Sequence, residues 1–179
     1  MKKIALCLML CLGVSVGGCN KVEEKIQEIE KEVKSEGREY GQTYNFTQDE
    51  IMNPTFFDLK VNNVQLLDEI EEYVPNVETD VFLVLDVSIT NTFSDTDFIP
   101  MFDGDFVLRW EGQTGEPLYV EKPFVENQFP EEYNIDKGDT ASGLLIYVVP
   151  RDIKSFVFDY LEYWDDEFEG NSYLMSINV

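Results

Sequence analysis

The stretch Leu83-Val84-Leu85-Asp86-Val87-Ser88-Ile89-Thr90 decides the fold class of this chain. Its odd-numbered positions are all apolar, while polar residues occupy positions 86, 88 and 90. An alternation with a period of two puts one set of side chains on each face of a β-strand, whereas a helix would scatter them around its axis. The pattern therefore predicts a strand with one buried face.

Similar short segments recur on both sides of this strand. They are Phe57–Val61, Phe106–Leu108, Leu118–Val120, Leu144–Val149, Phe156–Phe158 and Tyr173–Val179. Turn signals such as Asp103-Gly104 and Lys137-Gly138-Asp139 separate them, and Pro150 stops the longest run because proline lacks a backbone donor. Several short strands without a strong helical pattern predict an all-β, antiparallel β-sandwich over residues 56–179.

The first nineteen residues carry a different pattern. Lys2 and Lys3 precede a short apolar run from Ile4 to Val16, and Gly17-Gly18 leads into Cys19. The run is too short for a membrane-spanning helix, which needs about 20 apolar residues, and it is typical of a secretory signal peptide. Three forms of this segment are possible: an uncleaved anchor, an ordinary cleaved signal and a lipoprotein signal.

The cysteine at the end of this segment makes it resemble a bacterial lipoprotein signal, in which an aliphatic residue such as Val16 lies three positions before the cysteine. The resemblance implies cleavage between Gly18 and Cys19, and transfer of a diacylglyceryl group to the Cys19 thiol, which then becomes the acylated (palmitate-bearing) N-terminus. We therefore expect residues 1–18 to be a signal peptide and the mature protein to be anchored to the extracellular face of the cell membrane.

Residues 19–55 are predicted to form the lipidated N-terminus, a short charged helical stalk and a linker. An apolar stripe at helical spacing runs through Val22, Ile26, Ile29 and Val33 within an otherwise charged segment. Two heptads are few for a coiled coil, so the stripe predicts at most a weak pairing of helices. A strip that packs on the domain is the alternative to a free stalk. Gly37 to Asn53 is polar and is predicted to be the linker.

Composition excludes several classes of chemistry. The chain has no histidine and three cysteines, of which Cys7 and Cys11 lie in the signal and Cys19 is the lipid attachment site. Imidazole or thiolate metal sites, Ser-His-Asp triads and Cys-His dyads are thus unavailable. We predict no catalytic, cofactor or metal site. The formal net charge of −23 repels phosphate, so nucleic acid is not an expected partner.

Acidic loops are the chemical feature that composition leaves open. The clusters Ser94–Asp97, Asp103–Asp105 and Asp165–Glu167 offer oxygen ligands for weak calcium binding, although none has the spacing of a twelve-residue calcium loop. A domain that binds or cleaves glycans would need two carboxylates about 5–10 Å apart, and with so many acids the sequence selects no pair. We prefer the interpretation that the acidic residues are solvated and keep a surface protein soluble.

The order of four motifs resembles the DUF4352 family, whose members are telokin-like, immunoglobulin-like domains common in Gram-positive lipoproteins. The motifs are the strand Val84–Asn91 ending in asparagine, Asp105–Leu108 with a following glycine, Ile135–Gly143 around Lys137-Gly138-Asp139, and Leu145–Pro150. Lys137 stands where the family often has proline. The resemblance implies an immunoglobulin-like sandwich in a cell-envelope setting and implies no activity.

A non-enzymatic binding module is therefore the function that the sequence favours. Aromatic side chains carry much of the contact energy at protein interfaces. Trp110 follows Arg109 before a turn, and Tyr163 and Trp164 lie beside acidic residues. We expect Trp110, Tyr163 and Trp164 to contribute to a surface that binds an envelope protein or ligand, with burial of either tryptophan in the core as the alternative.

Overall fold

Ten β-strands and one 3-10 turn make up the described part of the computed structural model, which covers residues 38–114, 118–119, 125–164 and 167–179. The strands are β1 (Thr43–Thr47), β2 (Phe57–Leu67), β3 (Asp80–Asn91), β4 (Phe98–Phe102), β5 (Phe106–Arg109), β6 (Leu118–Tyr119), β7 (Glu132–Asp136), β8 (Thr140–Pro150), β9 (Ser155–Tyr163) and β10 (Glu169–Asn178), and the turn is Asp103–Asp105. Within these residues no helix has the length and apolarity needed to cross a membrane.

The strands form two four-stranded sheets and a two-stranded ribbon. One sheet has the order β1-β10-β9-β5, the other has the order β2-β3-β8-β6, and β4 pairs with β7 in the ribbon. Every pair is antiparallel except β1 with β10, which run parallel. The predicted all-β sandwich is confirmed.

The core lies between the inner faces of the two sheets, and the period-two patterns specify it. The inner positions of β3 and of β10 are at most 6% exposed: Val81, Leu83, Leu85, Val87, Ile89, Tyr173, Met175 and Ile177. Apolar residues from β2, β5, β8 and β9 join the same cluster. Each fully buried aliphatic or aromatic side chain contributes about 1.5–3 kcal/mol, so the alternation accounts for most of the driving force for folding.

A second, smaller apolar cluster covers part of the outer face of the β2-β3-β8-β6 sheet. Phe82, Val84 and Ile146 are buried there, under Leu67, Ile70 and Val125. This explains why the sequence of β3 departs from alternation at Val84 and why the run from Leu144 to Val149 is continuously apolar. Strands that are covered on both faces have apolar residues at successive positions.

The sandwich begins earlier in the chain than residue 56. Residues 43–47, predicted as linker, form β1, and Met52 is fully buried. Tyr44 and Phe46 stack on Tyr173, with ring centroids 5.3 and 6.4 Å apart, and this packing supplies the burial that holds β1 on the sheet. Two aromatic residues among polar ones are a weak strand signal, so the sequence alone predicts a linker here.

Two glycines and one asparagine have the structural roles that their positions predict. Gly138 has φ +80°, a left-handed turn conformation that side chains disfavour, and a Cβ on Gly143 would lie 2.8 Å from the Asn127 carbonyl oxygen. The Asn91 side chain accepts a hydrogen bond from the Phe93 N–H and donates one to the Ile135 carbonyl, both at 2.9 Å. The bond to Ile135 attaches the ribbon to the end of β3, and the bond from Phe93 fixes the turn that follows that strand.

Candidate functional site

The predicted lipid site and the predicted stalk lie outside the described residues. This holds for Cys19, for the cleavage position after Gly18 and for the stripe Val22, Ile26, Ile29 and Val33. They stay predictions from the sequence.

The three predicted surface aromatics are not brought together. Trp110 is half-buried and packs edge-on against Phe156, with ring centroids 6.1 Å apart, whereas Trp164 packs against Phe56 at 4.7 Å. Phe156 lies near the start of β9 and Trp164 directly after its end, eight residues or about 26 Å apart. Both tryptophans are partly buried and pack on other aromatic side chains, at separate places on the sandwich.

Tyr163 is the member of the predicted trio that lies on the surface. It is 57% exposed, and its hydroxyl donates a hydrogen bond to Glu169 Oε1 at 2.7 Å. This bond raises the pKa of Tyr163, because ionisation would place two negative charges side by side. Tyr163 by itself does not make a binding surface.

The acidic loops are partly engaged in local hydrogen bonds. Asp95 accepts a bond from the Ser94 hydroxyl at 2.8 Å, and Asp105 accepts the Phe102 N–H at 2.8 Å. Asp165 and Asp166 lie outside the described residues. Within the described ranges, no group of three or more histidine, cysteine, aspartate or glutamate residues is arranged to hold a metal ion.

The ribbon of β4 and β7 presents the feature that most resembles a binding surface. Its inner face packs on the core through Ile99, Met101 and Ile135, each at most 4% exposed. On the outer face, Phe98 is 47% and Phe102 is 43% exposed, and Pro100 between them is exposed as well. A solvent-facing strand row is ordinarily polar, so three apolar side chains in line mark a candidate contact site.

Carboxylates line the second row of the same face. Asp136 lies directly across from Phe98, Asn134 from Pro100, and Glu132 from Phe102. These three β7 residues are all exposed. We call the set Phe98, Pro100, Phe102, Glu132, Asn134 and Asp136 the ribbon face. It combines an apolar row with a row of two carboxylates and an amide.

Several backbone groups on the outer edge of β4 are not free to pair with a further strand. The Asp97 carbonyl accepts the Lys137 N–H, so residues 97, 99 and 101 direct their backbone groups toward β7, and residues 98, 100 and 102 direct theirs away. At these outward positions Thr96 Oγ1 donates to the Phe98 carbonyl at 2.7 Å, Pro100 has no N–H, and Asp105 accepts the Phe102 N–H. Pairing of a further strand with this edge is therefore disfavoured, and the face of the ribbon is the better candidate for contact with a partner.

The sequence contains a signal for this surface, although it is not the period-two alternation of apolar and polar residues. Residues 98–102 read Phe-Ile-Pro-Met-Phe, five apolar residues with no alternation. Such a run ordinarily belongs to a strand that is buried on both faces, and proline restricts it to an edge. An apolar run that contains proline therefore predicts an edge strand with one row of apolar side chains left exposed.

Comparison with known proteins identifies the fold. No protein-family model matches the chain, and curated proteins yield no significant match. The crystal structure of the ycdA protein of Bacillus subtilis strain 168, provisionally described as a lipoprotein, is similar with a TM-score of 0.55 at 18% identity, over 72% of this chain and 38% of that one. This chain thus spans well under half the length of that protein, and the likeness extends to the fold.

Two further solved structures are similar at lower scores. The yjhA protein of Bacillus subtilis has a TM-score of 0.49 at 17% identity, over 74% of this chain and 99% of that one. An uncharacterized β-sandwich protein of Clostridium difficile has a TM-score of 0.46 at 15% identity, over 78% of this chain and 97% of that one.

Proposed function

We propose that this chain is a lipoprotein of the cell membrane that displays a non-enzymatic β-sandwich on the extracellular face, where the ribbon face binds another component of the cell envelope. Two observations support the anchor. The sequence from Lys2 to Cys19 has the basic, apolar and small-residue order of a lipoprotein signal. The ycdA protein of Bacillus subtilis, which shares the fold, is provisionally described as a lipoprotein.

The single observation that carries the binding role is the exposed row Phe98, Pro100 and Phe102 on a ribbon whose other face is buried. Exposed apolar side chains in a contiguous row are removed from water when a partner covers them, and each square ångström covered contributes about 25 cal/mol. The absence of histidine removes imidazole from the catalytic groups available, although carboxylates, hydroxyls and ammonium groups are present. A non-enzymatic role is therefore part of the proposal.

Kinship with the DUF4352 family is part of this proposal. The family-like motifs fall on β3, β5 and β8 and on the turn between β7 and β8, and Asn91 and Gly138 occupy the strand end and the left-handed turn position. An immunoglobulin-like strand arrangement is the form of sandwich that this kinship implies.

The anchor is tested by metabolic labelling with an alkyne-tagged palmitate in cells that express the full chain. We expect Cys19→Ala to abolish the label and to release the protein from the membrane fraction. Cys11→Ala is the matched control, since it removes a thiol of the signal that would not carry lipid, and it should keep the label. Lipid on the Cys19→Ala variant would contradict the anchor.

The binding role is tested by placing a photo-crosslinking amino acid at position 98 or 102 in living cells. We expect a defined crosslinked species at both positions. Position 77 is the control, because Val77 is 52% exposed but lies outside the ribbon. Equal crosslinking at position 77, or none at positions 98 and 102, would contradict the role of the ribbon face.

A further inference from the structure

We propose that the ribbon face binds an extended segment of another protein in which two arginines flank apolar residues. This inference rests on the proposed binding function and specifies the chemistry of the partner. It follows from three observations: how rings and carboxylates are paired on the ribbon face, how far apart the pairs are, and which backbone groups on the edge of β4 are already bonded or missing.

Each exposed ring on the ribbon face has a carboxylate as its cross-strand neighbour. Phe98 lies opposite Asp136, and Phe102 lies opposite Glu132. The Cβ atoms of directly opposed residues are about 4.5–5.5 Å apart, so one planar cation can contact the ring and the carboxylate together. A guanidinium does both, because it stacks on an aromatic face and forms two parallel hydrogen bonds with a carboxylate.

A lysine ammonium matches this pairing less well. Its charge is compact and strongly hydrated, and it lacks the planar fork that binds a carboxylate through two bonds. The ring–carboxylate pairs therefore favour arginine over lysine, and this preference separates specific recognition from a general attraction of cations to an acidic protein.

The spacing of the two pairs sets the form of the ligand. The Phe98–Asp136 pair and the Phe102–Glu132 pair are four strand positions apart, or about 13 Å. In an extended segment, side chains four residues apart have the same spacing and leave on the same face. The residue midway between the two arginines then lies over Pro100 and Asn134, where an apolar side chain contacts the proline ring.

Charge and edge geometry argue against a second copy of this chain as the occupant. The chain carries 36 acidic and 13 basic residues, so two ribbon faces would bring carboxylate rows of the same sign together. Pairing of β4 with β4 is opposed by the Thr96 bond, by Pro100 and by the Asp105 bond on the outer edge. A basic segment of a different protein complements both the charge and the apolar row.

The test is a fluorescence anisotropy titration of the full chain, purified in detergent, with the labelled peptide Gly-Arg-Val-Leu-Val-Arg-Gly. Three further peptides replace both arginines with lysine, with neutral citrulline or with glutamate. We expect the arginine peptide to bind most tightly, the lysine peptide several-fold more weakly, and the other two at least tenfold more weakly. Equal binding of the citrulline peptide, or no saturable binding of the arginine peptide up to millimolar concentration, would overturn the proposal.

Variants of the protein distinguish specific pairing with Glu132 and Asp136 from a general attraction of cations to an acidic protein. Glu132→Gln combined with Asp136→Asn should weaken the arginine peptide about tenfold, the sum of two partly exposed ion pairs. Asp49→Asn combined with Glu78→Gln is the matched control, since it makes the same change in net charge with exposed acids outside the ribbon. Equal weakening by both double variants would overturn the specific pairing.

The same variants distinguish this inference from the proposed function. If Phe98→Ser abolishes crosslinking in cells while the Glu132 and Asp136 double variant keeps it, the ribbon face binds a partner but not through arginines, and the inference fails alone. If binding of an oligosaccharide probe responds to Phe98→Ser and the peptides do not bind, the partner class is wrong. If no ribbon variant changes crosslinking, both the proposed function and this inference fail.

Discussion

The Glu162 carboxylate accepts a hydrogen bond from the Thr55 N–H at 2.7 Å, although the two residues are 107 positions apart in sequence. Glu162 is 1% exposed, near the end of β9. Its carboxylate also accepts the Asn171 N–H at 3.0 Å and the Tyr173 hydroxyl at 3.1 Å. This one side chain thus ties the segment between β1 and β2 to the bulge of β10, and charge-assisted bonds of this kind are the strong ones.

Removal of this carboxylate should destabilise the sandwich more than removal of an exposed one. Glu162→Ala leaves the buried Asn171 N–H and Tyr173 hydroxyl and the part-buried Thr55 N–H without their acceptor. We therefore expect a loss of about 3 kcal/mol in the free energy of unfolding, measured by urea denaturation. Glu169→Ala, which removes an exposed carboxylate bonded to Tyr163, should cost less than about 0.5 kcal/mol. Equal losses for the two variants would contradict the role assigned to Glu162.

Stability should fall at alkaline pH because of the tyrosine bound to Glu162. Burial, and then the negative charge of Glu162, raise the pKa of Tyr173 from 10.0 to about 12. Burial also raises the pKa of Tyr160. The folded state therefore holds these protons more tightly than the unfolded state, so their contribution is complete below pH 10. The contribution of Tyr173 is lost as the pH rises toward 12, and that of Tyr160 declines over the same range and beyond it.

Urea midpoints measured from pH 9 to pH 12 check this dependence. Tyr173→Phe should lower stability at neutral pH by about 1–2 kcal/mol, through loss of the bond to Glu162, and should make the alkaline decline shallower. An unchanged slope between pH 10 and pH 12 in the Tyr173→Phe variant would show that other groups cause the decline.

Gly143 should tolerate no side chain. A Cβ at this position would lie 2.8 Å from the Asn127 carbonyl oxygen and 3.0 Å from the Phe129 ring, so we expect Gly143→Ala to cost about 2 kcal/mol through backbone displacement. Gly104→Ala is the control, because nothing lies within 4 Å of its Cβ position and its backbone needs no positive φ. In thermal denaturation, the midpoint temperature of Gly143→Ala should be well below that of Gly104→Ala.

The position of the ribbon should depend on Asn91. This residue is 1% exposed and bonds both Phe93 and Ile135, so Asn91→Ala should cost about 2 kcal/mol and increase hydrogen exchange across β4 and β7. Asn91→Asp should be worse, because a buried carboxylate oxygen would replace the donor that faces the Ile135 carbonyl. A milder effect of aspartate than of alanine would contradict this account.

Expectations drawn from local patterns were confirmed wherever burial follows a strict period. The alternating residues of β2, β3 and β10 lie in the core, and Gly138 takes the left-handed turn. β1, β4 and β7 escaped prediction, because β1 and β7 are short and mostly polar and β4 has no alternation. The partial burial of Trp110 and Trp164 is also beyond local patterns, since their packing partners Phe156 and Phe56 are distant in sequence.

The sequence by itself determined the class of the sandwich and the charge of its surface, together with the expectation of a lipid on Cys19. Periodicity and composition are local properties, and a chain that must bury alternating side chains has few choices. The tertiary structure decided which apolar residues stay exposed. Phe98 and Ile99 are adjacent and both apolar, yet one is 47% and the other 4% exposed. Only the packing of the ribbon on the core separates them, because exposure depends on what covers each face, and that is a property of the whole fold.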